Sequence, residues 1–240
     1  MNTIGNVKVA VLAGGLGTRL RCVLADCPKV LAPVAGKPFL AYLLEHLAGQ
    51  GLRDVVLCVG YRSAQVEAVF GRSYAGLRVA YSCEQAPLGT AGAVRLALPM
   101  LNSDPVLVMN GDSFCQPDLP SFFRWHEARK AAATLLLTRM PDTRRYGRVR
   151  VDDDGLIQAF EEKGEHNGPG WINAGVYLFS RQLLAEIPQR TAASLERETF
   201  PGWLGCGLYG CPSETPLLDI GTPASYAAAE EFLSAERKVS

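Results

Sequence analysis

The chain has 240 residues, 48% of them hydrophobic and 20% charged, which is the balance of an ordinary globular protein long enough for one large core, with no linker to divide it. Lys+Arg and Asp+Glu number 24 each, so no net field recruits nucleic acid or an anionic membrane, and any positive patch must be local. No apolar run approaches the ~20 residues needed to span a bilayer, and the polar opening residues enter a strand without signal-peptide architecture, so a cytoplasmic protein with no membrane and no nucleic-acid partner is expected. The seven cysteines lie mostly in apolar segments. Cys22/Cys27 and Cys206/Cys211 carry no zinc pattern around them and read as reduced thiols.

Residues 7–12 are a run of β-formers with no polar face after Lys8, the pattern of a strand covered by helices on both sides. The run breaks into Ala13, Gly14, Gly15, Leu16, Gly17, Thr18 and Arg19. Adjacent glycines after a buried strand let the backbone approach a ligand and turn N–H groups toward an anion. Arg19 adds a fixed fork of donors suited to phosphate, and Lys29, after the extended Pro28, adds a compact second charge. A plain glycine turn with two solvated cations is the competing reading. Two other phosphate motifs fail: Gly15-Leu16-Gly17 lacks the third glycine of the dinucleotide fingerprint, and no GxxxxGK[ST] run exists.

Further along, residues 38–49 have helical spacing at Phe39, Tyr42, Leu43 and Leu47, with His46 a half-exposed polar residue. Strands are expected at 55–59 and 77–81, with a short helix at 65–70 between them. Strands alternating with helices predict an α/β fold with a parallel sheet and right-handed crossovers, which places ligands beyond the carboxyl ends of the strands. Pro87 and Gly89 make a turn, and Thr90 is expected to cap a helix carrying Val94, Leu96 and Leu98. A fourth buried strand, 106–109, ends in Asn110-Gly111-Asp112, either a plain turn or a place for a Mg²⁺-binding carboxylate. An amphipathic helix at 119–130 and a strand at 131–138 follow. Residues 147–151 and 156–160 flank Asp152-Asp153-Asp154-Gly155 as a hairpin with a solvated turn, since the calcium-loop spacing is absent. Helices are expected at 180–187, from Ser194, and over 222–236, with a strand at 203–209.

LAGGLGTRL followed by PK resembles the signature of the sugar-1-phosphate nucleotidyltransferases, and DCPKVLAPVAGKPFL looks most like the bacterial D-glycero-α-D-manno-heptose 1-phosphate guanylyltransferases. The resemblance covers essentially the whole chain. It implies a Rossmann-like, mostly parallel sheet sandwiched by helices, with a smaller sugar-binding lid. One nucleotidyltransferase domain is expected, nucleotide-binding over about 1–130, with 131–240 binding sugar and completing the metal site. Leu12, Ala13, Gly14, Gly15, Gly17, Thr18 and Arg19 would wrap the triphosphate of GTP, with Lys29 in contact. EQAPLGTAGA is similar to the family's base and ribose segment, which implies roles for Glu84, Pro87, Gly89 and Thr90; Asn110 and Gly111 join the nucleotide site. NGD and the later Asp219 match the two Mg²⁺ aspartates, so Asp112 and Asp219 are the expected metal ligands. Gly147, Glu162, Lys163, Asn173 and Ala174 match the sugar and sugar-phosphate motifs, although Gly164 replaces the usual proline. A homodimer is a candidate assembly.

Glu84 has chemistry of its own. An ionised carboxylate only accepts, and guanine presents two adjacent donors, whereas uracil and thymine alternate acceptors with a donor. Glu84 therefore favours guanine, with a solvated loop acid, or Gln85 as the true reader, the competing readings. Arg19, Lys29 and Lys163 are the expected catalytic residues. The expected reaction is GTP plus heptose 1-phosphate giving GDP-heptose and pyrophosphate, for cell-surface polysaccharide synthesis. The alternatives are the same transfer on mannose 1-phosphate or from UTP or dTTP, and a non-catalytic sugar-nucleotide-binding regulatory subunit.

Overall fold

The computed structural model describes residues 4–236 apart from 16, 21–22, 25–26, 165–167 and 190–191. Its elements, in chain order, are β1 (Lys8–Leu12), β2 (Pro33–Val34), β3 (Lys37–Pro38), α1 (Phe39–Gly49), β4 (Asp54–Val59), α2 (Ser63–Phe70), β5 (Ser73–Tyr74), β6 (Leu77–Cys83), α3 (Gly89–Ala97), β7 (Val106–Asn110), β8 (Ser113–Phe114) and α4 (Leu119–Arg129). The second part contributes β9 (Ala133–Met140), β10 (Arg148–Val151), β11 (Ile157–Glu161), β12 (Gly170–Phe179), α5 (Arg181–Glu186), α6 (Phe200–Gly202), β13 (Leu208–Ser213), β14 (Leu218–Asp219), α7 (Pro223–Ala227) and α8 (Ala229–Glu236).

Among these residues the main sheet has ten strands, ordered β11-β10-β12-β7-β1-β4-β6-β5, with β9 pairing β12 and β13. The centre is parallel: β1 lies between β4 and β7, and β6 follows β4. β12 joins β7 antiparallel, so strands from the second part extend the sheet begun by the first. Alternate residues of β1 serve opposite layers. Val9 and Val11 join Phe39, Leu43 and Leu47 of α1 and Phe122 of α4, while Ala10 joins Val94 of α3 and Leu184 of α5. Strands buried on both faces explain the unbroken apolar runs in the sequence, and the sandwich of helices is the expected fold class.

Two local expectations fail. Residues 203–207 form a turn rather than the start of a strand, because Gly205 and Gly207 hold left-handed φ angles of 81° and 77°, and β13 begins only at Leu208. The helix expected over 222–236 breaks at Ala228 into α7 and α8, after a capping box in which Thr222 and Ser225 exchange hydrogen bonds. Along α3 Leu96 is exposed, whereas Val94 and, just past the helix, Leu98 are buried. The turn after Ser194 is a five-residue π-helical turn, Leu195–Thr199, capped by the Ser194 hydroxyl. Among the described cysteines all are free; Cys22 lies outside the described residues.

Candidate active site

The carboxyl ends of β1, β4, β6 and β7 open into a cleft of about 510 Å³. Its wall includes Leu12, Ala13, Gly14 and Gly15 from the loop after β1, Gly60 and Tyr61 after β4, and the segment from Glu84 to Thr90 after β6. Lys29, Asn110, Asp112 and Glu196 complete the polar lining. Strand termini in a parallel sheet converge on one edge, so residues far apart in the chain meet there.

At the foot of the cleft Lys29 stands in a short turn of 3-10 helix, Lys29–Leu31, whose apolar residues are buried in the core. Its Nζ donates to Asp112 Oδ2 at 2.7 Å and lies 3.5 Å from Asp219 Oδ1. The backbone brings these aspartates together: β14 pairs with β8, with Asp219 opposite Ser113, and the Ile220 N–H donates to the Asp112 carbonyl. Two carboxylates thus converge on one cationic centre, the arrangement wanted by a hard cation that takes few protein oxygens and fills its sphere with water and phosphate. Among the described residues no cluster of three or more His, Cys, Asp or Glu offers another metal site. Thr18 and Arg19 lie on the 3-10 turn Thr18–Leu20 beyond the glycine loop, with the Arg19 side chain exposed.

Glu84 lies along the upper wall. Its Oε2 accepts the Leu88 N–H at 3.0 Å, and its Oε1 packs so closely on the Gly60 backbone that a Cβ there would come within 2.6 Å. Burial pushes the Glu84 carboxyl above the usual carboxylate range, while the Leu88 hydrogen bond opposes the shift. The residue is therefore a loop anchor as well as a cleft-facing acceptor, which corrects the picture of a freely solvated acid.

Thr90 does not cap α3. Leu88 occupies the cap position without a side-chain bond, and the Thr90 hydroxyl instead accepts the Leu195 N–H at 2.7 Å and donates to Glu196 Oε2 at 3.1 Å. The whole loop is stitched to the segment around Ala193: Ala193 N–H donates to Leu88 O, and Ala91 N–H to Ala193 O, both at 2.9 Å. Gly89, at φ +68°, is needed here, because a Cβ would lie 2.4 Å from the Ala193 carbonyl oxygen.

Glu196 reads in the sequence only as part of the helix opening at Ser194, with nothing to mark it as a site residue. Its Oε2 also accepts the Ser194 hydroxyl at 2.8 Å, and its Oε1 is 3.4 Å from the Tyr177 hydroxyl. Tyr177 in turn accepts from Asn173 Nδ2 at 2.9 Å, and Asn173 Oδ1 accepts the Gly175 N–H at a register shift in β12. Burial foremost, then the nearby Glu196 charge, pushes the Tyr177 phenol well above its ordinary value. Asn173 thus reaches the cleft only through Tyr177 and Glu196 and does not line it, and Ala174 is buried. Beside them Asn110 Oδ1 is buried without a hydrogen-bond partner. A serine and a glutamate two residues apart give no motif by themselves, and only the docking of the Ser194 turn onto Thr90 reveals Glu196.

The remaining expected residues lie outside the cleft lining. Gly111 donates its N–H to the Leu12 carbonyl at 2.9 Å, tying two site loops together. Glu162 and Lys163 are exposed beyond the end of β11, and Gly147 precedes β10 across from Glu161. Gly17 is part of the β1 loop but does not line the cleft.

A mainly parallel sheet with a ligand-sized cleft, a glycine loop, a lysine and two aspartates near its strand ends defines a nucleotide-handling α/β enzyme. Residues 8–236 match the nucleotidyl transferase family, and the chain belongs to it. It is 39% identical over 232 residues to D-glycero-alpha-D-manno-heptose 1-phosphate guanylyltransferase from Aneurinibacillus thermoaerophilus, covering 95% of this chain and 98% of that one. It is also 39% identical over 224 residues to mannose-1-phosphate guanylyltransferase from Mycobacterium tuberculosis, covering 92% of this chain but 62% of that protein. The crystal structure of HddC from Yersinia pseudotuberculosis superposes with a TM-score of 0.85 at 31% identity, covering 95% of this chain and 99% of the other. The same protein complexed with GMP-PN gives 0.84 at 30%, with 95% and 99% covered.

Proposed function

We propose that this sugar-1-phosphate guanylyltransferase transfers GMP from GTP to D-glycero-α-D-manno-heptose 1-phosphate, giving GDP-heptose and pyrophosphate for a cell-surface polysaccharide. The observation that carries the reading is the convergence of Lys29, Asp112 and Asp219 at one end of a cleft whose other wall holds Glu84. The transfer needs neither a nucleophilic side chain nor a general base. A phosphate oxygen of the sugar 1-phosphate is already anionic; it forms a bond to the α-phosphorus as the bond to the pyrophosphate oxygen breaks. Lys29 and Arg19 neutralise the triphosphate and the departing pyrophosphate, and Lys163 meets the phosphate of the sugar. Asp112 and Asp219 would hold Mg²⁺, which would draw charge from the α-phosphate oxygens. Relatives of both kinds stand at 39% identity, and the heptose is chosen for the likeness of DCPKVLAPVAGKPFL to the heptose enzymes.

Pyrophosphate release with GTP, UTP, dTTP and ATP against heptose, mannose and glucose 1-phosphates tests the reading. Turnover is expected to be highest with GTP and the heptose. Equal or better use of mannose 1-phosphate would overturn the sugar assignment, and preference for a pyrimidine nucleotide would overturn the base assignment.

A further inference from the structure

We infer that Lys29 is a placeholder cation: its ammonium holds the pair Asp112 and Asp219 in the nucleotide-free enzyme and must leave them before a divalent cation is bound tightly. This inference rests on the metal site proposed above and adds a function to Lys29 beyond contact with phosphate.

The backbone, rather than the lysine, brings the aspartates together, through the β8–β14 ladder and the bond from Ile220 N–H to Asp112 O. Two carboxylates held near one point repel each other, and a positive charge between them relieves that repulsion. Lys29 Nζ does so at 2.7 and 3.5 Å. The burial is lopsided. The Lys29 side chain keeps 10% of its exposure, whereas Asp112 and Asp219 keep 44% and 39%. The carboxylates are therefore open to an arriving cation, and the ammonium is the group that would be left buried and unpaired if they were taken from it.

A divalent cation alone meets two obstacles. It is repelled by the ammonium, and it strands that ammonium in the wall of the site. A triphosphate removes both, because its oxygens offer Lys29 a new anionic partner while adding ligands for the metal. One charge thus couples the two bindings: metal is weakly held alone and tightly held with nucleotide, as reciprocal linkage requires. The exchange is short-range, since Lys29 already lines the same cleft as the glycine loop.

The test is binding of Mn²⁺ alone, measured from the electron paramagnetic resonance signal of the free ion, in wild type and in Lys29→Met without nucleotide. Methionine matches the lysine stem, and circular dichroism checks the fold; Lys29→Gln serves if the methionine variant does not fold. Repulsion between a divalent and a single charge about 4 Å apart in bulk water corresponds to roughly thirty-fold in affinity. The variant is expected to bind Mn²⁺ at least about tenfold more tightly than wild type, and adding Asp219→Asn should abolish the gain. The same ion should also raise the melting temperature of the variant more than that of wild type. Equal or weaker Mn²⁺ binding by Lys29→Met, with turnover still dependent on metal, would overturn the placeholder and leave the metal site standing. Full turnover by Asp112→Asn in excess chelator would instead remove the metal site, and the placeholder with it.

Discussion

Exchanging Glu84 for glutamine tests how the base is read, because the loop dictates which way the new amide must point. Oε2 accepts the Leu88 N–H at 3.0 Å, and only the carbonyl oxygen of glutamine can keep that bond. The amide NH₂ is then directed along the wall by Gly14 and Gly60, where Oε1 now lies. Turning the amide over would set NH₂ against the Leu88 N–H and leave that donor unsatisfied, at about 1–3 kcal/mol. A donor facing guanine N1–H and its amino group replaces an attraction by a mismatch. Loss of a charge-assisted hydrogen bond of about 1.5–3 kcal/mol corresponds to roughly ten- to a hundred-fold in kcat/KM for GTP. UTP, which offers acceptors, should lose less, so the GTP:UTP ratio falls. Wild type should also prefer GTP to ITP, which lacks the amino group. Steady-state pyrophosphate release with the three nucleotides measures both ratios. If Glu84→Gln leaves GTP:UTP unchanged, Glu84 is only the anchor of the Leu88 loop and the guanine argument from it fails.

Asp112→Ala or Asp219→Ala should lower turnover by orders of magnitude at unchanged far-UV circular dichroism, and full activity in excess chelator would contradict the role assigned to them. Lys163→Ala should raise KM for the sugar phosphate more than for GTP, whereas Lys29→Ala should do the reverse; identical defects in both would refute separate pockets. Gly89→Ala meets the Ala193 carbonyl at 2.4 Å from a left-handed φ, so chemical denaturation should show a loss of about 1–3 kcal/mol or more, with activity falling as the loop detaches. Arg78, and next Lys8, hold Asp54 down to about 2 from an ordinary 3.8, against opposition from burial. A depressed carboxylate contributes stability that is complete above its unfolded value and disappears as pH falls through the folded one. Urea midpoints should therefore drop between about pH 4 and pH 2, and Asp54→Asn should flatten that part of the profile.

Much of this protein is local in origin. Apolar runs such as residues 7–12 and 106–109 become strands because nothing polar along them tolerates exposure, and their alternation with amphipathic helices permits little besides a parallel sheet covered on both faces. The glycine loop, Lys29, Glu84, Asn110 and Asp112 all line the cleft, but the pattern alone left plain turns and a solvated acid open there, and it is the resemblance to the nucleotidyltransferases that marks them as site residues. Local signals misled where two local preferences conflicted: apolar residues after Trp203 favour a strand, but Gly205 and Gly207 turn the chain first.

Tertiary structure decided the partners. Thr90 has the right residue type for a helix cap, yet its hydroxyl is taken by Leu195 and Glu196, 105 and 106 residues away in the chain. Glu196 became a site residue only because that segment docks on the loop after β6, and the sequence around it carries no periodicity or motif that encodes the docking. The meeting of Lys29 with Asp112 and Asp219 has the same origin. Each residue type was visible, but the approach of Asp219 to within 3.5 Å of Lys29 depends on backbone pairing between β8 and β14, and pairing between distant strands is set by packing of the whole structure rather than by either strand alone.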